Sequence, residues 1–222
     1  MTDVSNPKIK ISVFDSLENG FFRVNSDEES VVIGEFEKGE KVGVWFYNKG
    51  NQHDKIRWDN YQCEDGIVSL QYPDNWLSIP SNGLTFQATF DTTPHINNNY
   101  YFRIIRNKII GGVNIVDYSR LLIDDISSNS KIIRIQQSLL KNGNKEFVYS
   151  NLKTIKGSDT LLIMSYVTII GQKYFDVLYS TKNNNTDIKE QMFYDIISSI
   201  KFGNQRIINN LSPIKVSKLT QN

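Results

Sequence analysis

The sequence predicts an α+β fold built on an antiparallel sheet. Apolar and aromatic residues make up 39% of its 222 residues, a composition typical of a globular chain rather than a disordered one. Strand-like runs bounded by turn residues follow one another, whereas helical periodicity occurs in only two places. Because consecutive strands joined by tight turns pair in antiparallel fashion, these observations favour a meander with two helices.

The first 63 residues are predicted to form a β-rich extension. Residues 31–36 and 42–47 are two β-rich runs, and the charged, glycine-containing segment 37–41 lies between them. This pattern predicts a β-hairpin. A weak strand is predicted at residues 8–14, and residues 55–58 have the pattern of a second hairpin that is not completed.

Regular strands are predicted for the main part of the chain, residues 64–203. Each has β-branched and aromatic residues, and several alternate in polarity as a strand with one buried face does. The predicted strands are 66–72, 84–90, 100–105, 133–139, 147–151, 161–169 and 173–180.

Two helices are predicted within this part. The first spans about residues 116–128, with Asp117 as its N-terminal cap and Tyr118, Leu122 and Ile126 at helical spacing. The second follows Asp187, has an apolar stripe and ends before Gly203. Residues 204–222 are polar and are predicted to be a tail that either stays flexible or forms an ordered strap.

Two short motifs carry a resemblance to the PsbP-like superfamily. They are Tyr72-Pro73-Asp74-Asn75-Trp76, where a strand runs into a turn, and Ser198-Ser199-Ile200-Lys201-Phe202, which ends the last helix. The resemblance covers residues 64–203 and implies an α/β/α sandwich around an antiparallel sheet. Members of that superfamily include photosystem subunits, a nuclear-import factor and chaperones linked to bacterial type VI secretion, so the resemblance implies a scaffold that binds proteins.

The predicted hairpin resembles one repeat of YwqK-type bacterial antitoxin components. The matching residues are Gly34, Phe36, Lys38, Gly39, Gly43, Trp45 and Tyr47. The match covers about residues 31–60. It implies an immunity or antitoxin role as an alternative to the role of a chaperone.

The residues that most often carry chemistry are not grouped in this sequence. His53 and His95 lie far apart in polar segments, and Cys63 is the only cysteine. A zinc site needs three or four converging ligands, and a nucleophilic cysteine needs an activating base. Asp124 and Asp125 point about 100° apart on a helix, so they do not form an acid–base pair. We therefore expect no catalytic residues, no metal and no cofactor.

Charge and hydropathy limit the classes of partner and the compartment that the sequence favours. Lys and Arg number 25 against 24 Asp and Glu, so no overall field attracts nucleic acid. The cluster of Arg103, Arg106 and Lys108 beside aromatic residues is as expected for a half-buried strand. No run of about 18 apolar residues and no signal-like amino terminus is present. With a single cysteine, the sequence favours a cytoplasmic protein without membrane insertion.

Aromatic residues near the predicted hairpin are the candidate partner-binding residues. Trp and Tyr are enriched at protein interfaces because they offer a large, stiff contact area. The candidates are Trp45, Tyr47, Trp58, Tyr72 and Trp76. The alternative is that they form a core between the hairpin and the main sheet. Trp76, which lies beside a turn, is expected to be partly exposed.

The sequence therefore predicts a non-catalytic protein-binding adaptor or chaperone of a bacterial cytoplasm, and an association with a bacterial secretion system is part of this expectation. Its partner would be an effector, a toxin or a secretion component. The first alternative is an immunity protein that neutralises a toxin. The second is a hydrolase or transferase whose site is assembled from scattered Asp, Tyr and Ser residues. The sequence predicts no oligomeric state.

Overall fold

The computed structural model describes residues 19–25, 30–78, 86–89, 101–142, 144–183, 186–207 and 214–219. The weak strand predicted at residues 8–14 lies outside them. The chain divides into two compact units, one formed by Met1–Trp76 with Asp187–Pro213 and the other by Leu77–Thr186 with Ile214–Asn222. The predicted boundaries near residues 63 and 203 stay predictions, although the strands on either side of residue 63 pair in one sheet.

The first unit contains a seven-stranded antiparallel sheet. In spatial order its strands are β1 (Asn19–Asn25), β2 (Ser30–Glu37), β3 (Glu40–Lys49), β4 (Gln52–Gln62), β5 (Val68–Pro73), β13 (Lys201–Phe202) and β14 (Gln205–Arg206). The predicted hairpin is confirmed as β2 and β3, whose turn holds Lys38 and Gly39 at positive φ. Positive φ at both central residues suits the right-handed twist of the paired strands.

A close approach of Trp45 to Gly34 fixes the packing of this hairpin. The pairing shifts register between Ile33 and Glu35, and a β-carbon added to Gly34 would lie 2.1 Å from the indole ring of Trp45. The indole is fully buried and meets the ring of Phe36 edge-on, with centroids 4.9 Å apart. Glycine at position 34 therefore leaves the space that the indole occupies.

The helix α2 (Thr186–Ser199) belongs to the first unit from Asp187 onwards. It contacts the sheet through polar groups, since the Ser199 hydroxyl accepts a hydrogen bond of 2.8 Å from the backbone N–H of Gln71 on β5. Its side chains from Met192 to Ser199 are buried. The helix thus lies within the core rather than on the surface.

The second unit contains an eight-stranded antiparallel sheet. In spatial order its strands are β15 (Ile214–Leu219), β9 (Lys131–Asn142), β10 (Lys145–Lys156), β11 (Asp159–Ile170), β12 (Lys173–Lys182), β8 (Tyr101–Lys108), β7 (Phe86–Thr89) and β6 (Leu77–Ser78). The predicted meander is confirmed in β9 to β12. Part of the predicted polar tail pairs as the edge strand β15.

The helix α1 (Ile115–Asn129) packs on one face of this second sheet. Asn114, not Asp117, caps it, because the Asn114 side chain accepts hydrogen bonds of 2.9 Å from the N–H groups of Val116 and Asp117. Two apolar clusters hold the helix on the sheet, one around Ile123 and one around Tyr118. The predicted helix is therefore correct in position and wrong in its cap.

The predicted α/β/α sandwich is wrong. The described residues are mostly β and form two antiparallel sheets, and the hairpin is not an extension but part of the first sheet. An apolar stripe predicts that a helix is buried, but it does not predict which sheet buries it. Here α1 packs on the second sheet, whereas polar contacts place α2 in the first unit. Neither helix in the described residues has the length and apolar character needed to cross a membrane.

Replacing Gly34 with alanine is expected to destabilise the protein. The added methyl group would overlap the buried Trp45 indole, and overpacking of this kind costs roughly 1–3 kcal/mol or more. Chemical denaturation followed by tryptophan fluorescence measures the loss. The control is Gly111→Ala, because Gly111 has negative φ and no neighbour near the position of a β-carbon. Equal stabilities of the two variants would contradict the role of Gly34.

Candidate functional site

The most unusual group of side chains in the first unit surrounds a buried lysine. Lys41 follows the turn of the hairpin, at the start of β3, and its side chain is 5% exposed. Its Nζ atom donates a hydrogen bond of 2.7 Å to the Tyr47 hydroxyl and forms an ion pair with the Asp195 carboxylate of α2. The Tyr47 hydroxyl donates to the same carboxylate at 2.5 Å. These contacts join residues 154 positions apart in the sequence.

Two indole rings complete the surroundings of the ammonium group. The Lys41 Nζ atom lies 3.9 Å from the centroid of the Trp45 ring and 4.5 Å from that of Trp58. Both distances are within the range of a cation–π interaction, which is strongest where the cation has lost its water. We call Lys41, Trp45, Tyr47, Trp58 and Asp195 the lysine cage.

Burial sets the protonation of the lysine cage. Burial lowers the pKa of Lys41 to about 8, although the Asp195 charge and hydrogen bond oppose this change. Burial, together with the negative charge of Asp195, raises the pKa of the Tyr47 hydroxyl well above its usual value. At neutral pH the ammonium is therefore mostly charged and the phenol is neutral, so the Tyr47 hydroxyl keeps its proton and donates a hydrogen bond to the carboxylate.

The amine, the phenol and the carboxylate of the cage bind one another, whereas the buried indole N–H groups of Trp45 and Trp58 have no hydrogen-bond partner in the described part of the chain. The second oxygen of Asp195 accepts a hydrogen bond of 3.0 Å from the Gln191 amide. The backbone of Lys41 is held by the Gln71 side chain, which accepts from its N–H at 2.8 Å and donates to its carbonyl at 3.0 Å. An amine that is charged, buried and paired is not a nucleophile. The geometry is suited to holding α2 against the sheet.

A polar cleft of about 460 Å³ opens in the first unit near the cage. Gln71 and Ser199 line it, together with the ion pair of Glu40 and Lys201, whose charged atoms are 2.7 Å apart. The Arg206 guanidinium, also in the lining, donates to the backbone carbonyls of Gly39 and Ser198. Lys41, Tyr47 and Asp195 do not line this cleft.

The second unit buries a carboxyl group without a hydrogen bond. Asp176, on β12, is fully buried, and neither of its oxygens has a hydrogen-bond partner in the described part of the chain. Burial raises its pKa to about 7 despite the opposing charge of Arg103 and the nearby Ser165 hydroxyl. That hydroxyl is close but also has no hydrogen bond of normal geometry. Below neutral pH the carboxyl group therefore mostly retains its proton in the folded chain.

The predicted partner-binding residues are mainly buried. Trp45 and Tyr47 are almost fully inaccessible, and Trp58 is 8% exposed. Trp76, expected to be partly exposed, is only 6% exposed. Tyr72 is half-buried, and its pKa is raised by burial and by the charge of Asp59. Three of the five therefore meet in the lysine cage, and their role in binding stays a prediction.

The other sequence candidates do not come together. The Cys63 thiol is buried and donates to Asp65 at 2.6 Å within the turn before β5. The His53 ring contacts Asn48 at 2.8 Å on the surface, whereas His95 lies outside the described residues. Among the residues that the structure describes, no three His, Cys, Asp or Glu side chains are grouped to hold a metal ion.

The sequence reasoning missed the opposite face of the same hairpin. Phe46 is 37% exposed, and its cross-strand neighbours are Ile33 on β2 and Lys55 on β4. Val44, paired with Arg57, is half-buried on the same face. We call Ile33, Val44, Phe46, Lys55 and Arg57 the outer strip. The strict alternation of Val44 and Phe46 with Trp45 and Tyr47 was the signal that could have identified it.

Comparisons with known proteins show no family. No family model matches the chain, and no curated protein matches it. Among solved structures, cyanobacterial PsbP (CyanoP) from Synechocystis sp. PCC 6803 is similar with a TM-score of 0.47 and 15% identity, over 65% of this chain and 92% of that one. A protein from Bacteroides thetaiotaomicron is similar with a TM-score of 0.40 and 14% identity, over 64% of this chain and 47% of that one.

The likeness to cyanobacterial PsbP concerns the same superfamily that the two sequence motifs resemble. At this identity and TM-score it carries no argument about activity, partner or family. The match spans less than half of the Bacteroides chain. The resemblance of the hairpin to YwqK-type repeats has no support from these comparisons.

Removing both partners of the buried ion pair is expected to destabilise the protein by less than the sum of the two separate removals. Lys41→Met leaves a buried carboxylate without its counter-ion, which costs about 3–5 kcal/mol. Adding Asp195→Asn removes the remaining charge, so the double variant should be less destabilised than the sum of the two single variants. Chemical denaturation of the four proteins gives the coupling energy.

The control for this cycle is the exposed pair of Lys141 and Glu146, whose atoms are 2.6 Å apart. Pairs at such exposure contribute about 0–1 kcal/mol. A coupling energy for Lys41 and Asp195 no larger than that of the exposed pair would show that the cage does not hold α2.

Replacing Asp176 with asparagine is expected to change how stability depends on pH. The folded pKa of about 7 lies above the value of 3.8 for an unperturbed carboxyl. Between these values the folded state retains a proton that the unfolded state releases, so the unfolding free energy falls as pH rises. From pH 5 to 8 the native protein should lose about 2–3 kcal/mol relative to Asp176→Asn.

Denaturation at a series of pH values measures this difference. The control is Asp124→Asn, because Asp124 is exposed on α1 and its loss should leave the pH dependence of the native protein unchanged. Parallel pH profiles for the native protein and Asp176→Asn would contradict the prediction.

Proposed function

We propose that this protein is a non-catalytic protein-binding adaptor or chaperone whose partner contacts the outer strip. The observation that carries the proposal is the exposure of Phe46 between its cross-strand neighbours Ile33 and Lys55, on the face opposite to the lysine cage. An aromatic side chain on a strand gives a partner a stiff apolar contact at little cost in conformational entropy.

The chemistry of the strip indicates the kind of partner. The Lys55 ammonium lies 5.7 Å from the centroid of the Phe46 ring, and Arg57 stands beside Val44. An apolar centre with cations at its side matches a partner surface that has apolar residues next to carboxylates. The surface is a sheet face, so the contact would be made by side chains rather than by strand addition.

The buried polar groups support a binding role rather than catalysis. In the lysine cage the amine, phenol and carboxylate contact one another, and none of the three lines the 460 Å³ cleft of the first unit. A binding protein needs such a cage only for stability, because α2 and the hairpin that presents Phe46 must remain fixed. The single cysteine keeps the cytoplasm as the expected compartment.

The test is affinity capture of the partner from cells of the source organism, with the native protein and its variants as bait. Phe46→Asp in the native protein should lower recovery of the captured protein at least tenfold, as loss of a central aromatic contact does. The matched control is Ile67→Asp, because Ile67 is equally exposed at 37% in the same unit. Recovery that both variants retain, or that both lose equally, would overturn the proposal.

The identity of the captured protein separates the roles. An effector or a secretion component is expected for a chaperone or adaptor. Recovery of a toxin that loses its activity on binding would instead favour the immunity role. Both variants should first be shown to unfold at the same denaturant concentration as the native protein, so that reduced capture reflects the lost contact alone.

A further inference from the structure

One end of the second sheet combines exposed isoleucines with lysines. Ile109, Ile110 and Ile169 are 41%, 51% and 39% exposed. Their exposed basic neighbours come from the ends of three strands. We call this group the Lys-Ile end, and it consists of Lys108, Ile109, Ile110, Lys145, Ile169 and Lys173.

Strand pairing brings these residues together. Lys173, the first residue of β12, is directly opposite Lys108, the last residue of β8. Ile169 is opposite Tyr174 at the same end of β11. Ile169 and Lys145 also line one surface cleft of about 460 Å³ with Ile115, the first residue of α1.

The segment that presents the isoleucines is held in place. The N–H of Val113 donates to the carbonyl of Ile110 at 3.1 Å, which closes a turn after the exposed pair. The Tyr174 hydroxyl donates to the carbonyl of Val113, and the Tyr174 ring stacks on Tyr118 with centroids 3.9 Å apart. These contacts hold the backbone of the segment in place, so the isoleucine side chains stay exposed in the folded chain.

The charges at this end are not balanced. Like charges directly opposite each other in a sheet are destabilising, yet Lys108 and Lys173 have no ion-pair partner among the described residues. The nearby carboxylate of Glu146 is paired with Lys141. The cost of placing two lysines together would be relieved by an anionic partner from outside the chain.

We propose that the Lys-Ile end docks on the surface of an anionic lipid bilayer. Lysines near such a surface are attracted to acidic headgroups, while isoleucines at the tip enter the boundary between headgroups and acyl chains. This mode of binding requires no spanning helix. Exposed isoleucine favours a bilayer over nucleic acid, because phosphates and bases offer no apolar phase to an aliphatic side chain.

The net charge of +1 does not reveal the positive charge of the Lys-Ile end, because acidic residues elsewhere in the chain offset it. At the opposite end of the same sheet, Ile133 and Ile155 are also exposed and Lys131 and Lys156 lie beside them. The acidic residues Asp124 and Asp125 of α1 lie at that end as well. It therefore supplies a matched control for both the isoleucines and the lysines.

The experiment is cosedimentation of the full chain with vesicles of phosphatidylcholine, alone or with one part in four of phosphatidylglycerol. Binding only to the anionic vesicles is expected. Lys108→Gln with Lys173→Gln should weaken it by about fivefold for each lysine. Ile109→Ser with Ile110→Ser should weaken it by roughly 20-fold, since each side chain still has about half its surface to bury. The control variants Lys131→Gln with Lys156→Gln, and Ile133→Ser with Ile155→Ser, should bind within about twofold of the native protein.

A further variant separates docking from folding. Lys173→Glu places opposite charges across β8 and β12, so it should raise the denaturation midpoint while it lowers vesicle binding. No binding by the native protein, equal binding to neutral vesicles, or equal losses in the control variants would overturn the proposal. So would RNA binding that needs the lysines and not the isoleucines, or isoleucine-dependent self-association without vesicle binding.

Discussion

The buried ion pair of Lys41 and Asp195 is the contact on which the first unit depends. A lysine and a carboxylate lose their hydration when buried, and the loss is repaid only when both are fully paired. Here the pairing is completed by the Tyr47 hydroxyl and by two indole rings. The pair can form only if β3 and α2 are both in place, so it makes the position of α2 specific where apolar packing alone would allow alternatives.

The same hairpin separates two roles by the alternation of its side chains. Trp45 and Tyr47 belong to the lysine cage, whereas Val44 and Phe46 lie on the opposite face. The stability of the inner face and the proposed binding by the outer face therefore depend on one backbone. A change that shifts the register of β3 by one residue would exchange the two faces and lose both.

In the second unit, local charges differ from what the nearly equal totals of acidic and basic residues suggest. It buries a protonated Asp176 on the β12 strand whose first residue, Lys173, is opposite a second lysine in the sheet. Neither feature can be read from the totals of 25 Lys and Arg against 24 Asp and Glu. Both follow from strand pairing, which decides which charges are buried, which are adjacent and which remain exposed.

The sequence by itself determined the β-rich character, the hairpin at residues 31–47, the meander from β9 to β12 and the positions of both helices. These depend on local patterns of apolar residues and turn residues, which neighbouring positions in the chain largely decide. It also grouped Trp45, Tyr47 and Trp58 with Tyr72 and Trp76, although it could not decide between a core and an interface.

Only the tertiary structure decided that there are two sheets, that α2 belongs with the first, and that Lys41 is inside. A charged residue at a strand end predicts a solvated position. No local pattern near Lys41 indicates that its partner is a carboxylate 154 residues away. Pairing between distant strands likewise places Lys108 opposite Lys173 and leaves Phe46 exposed. Contacts at long sequence separation are set by the packing of the whole unit, which no local pattern specifies.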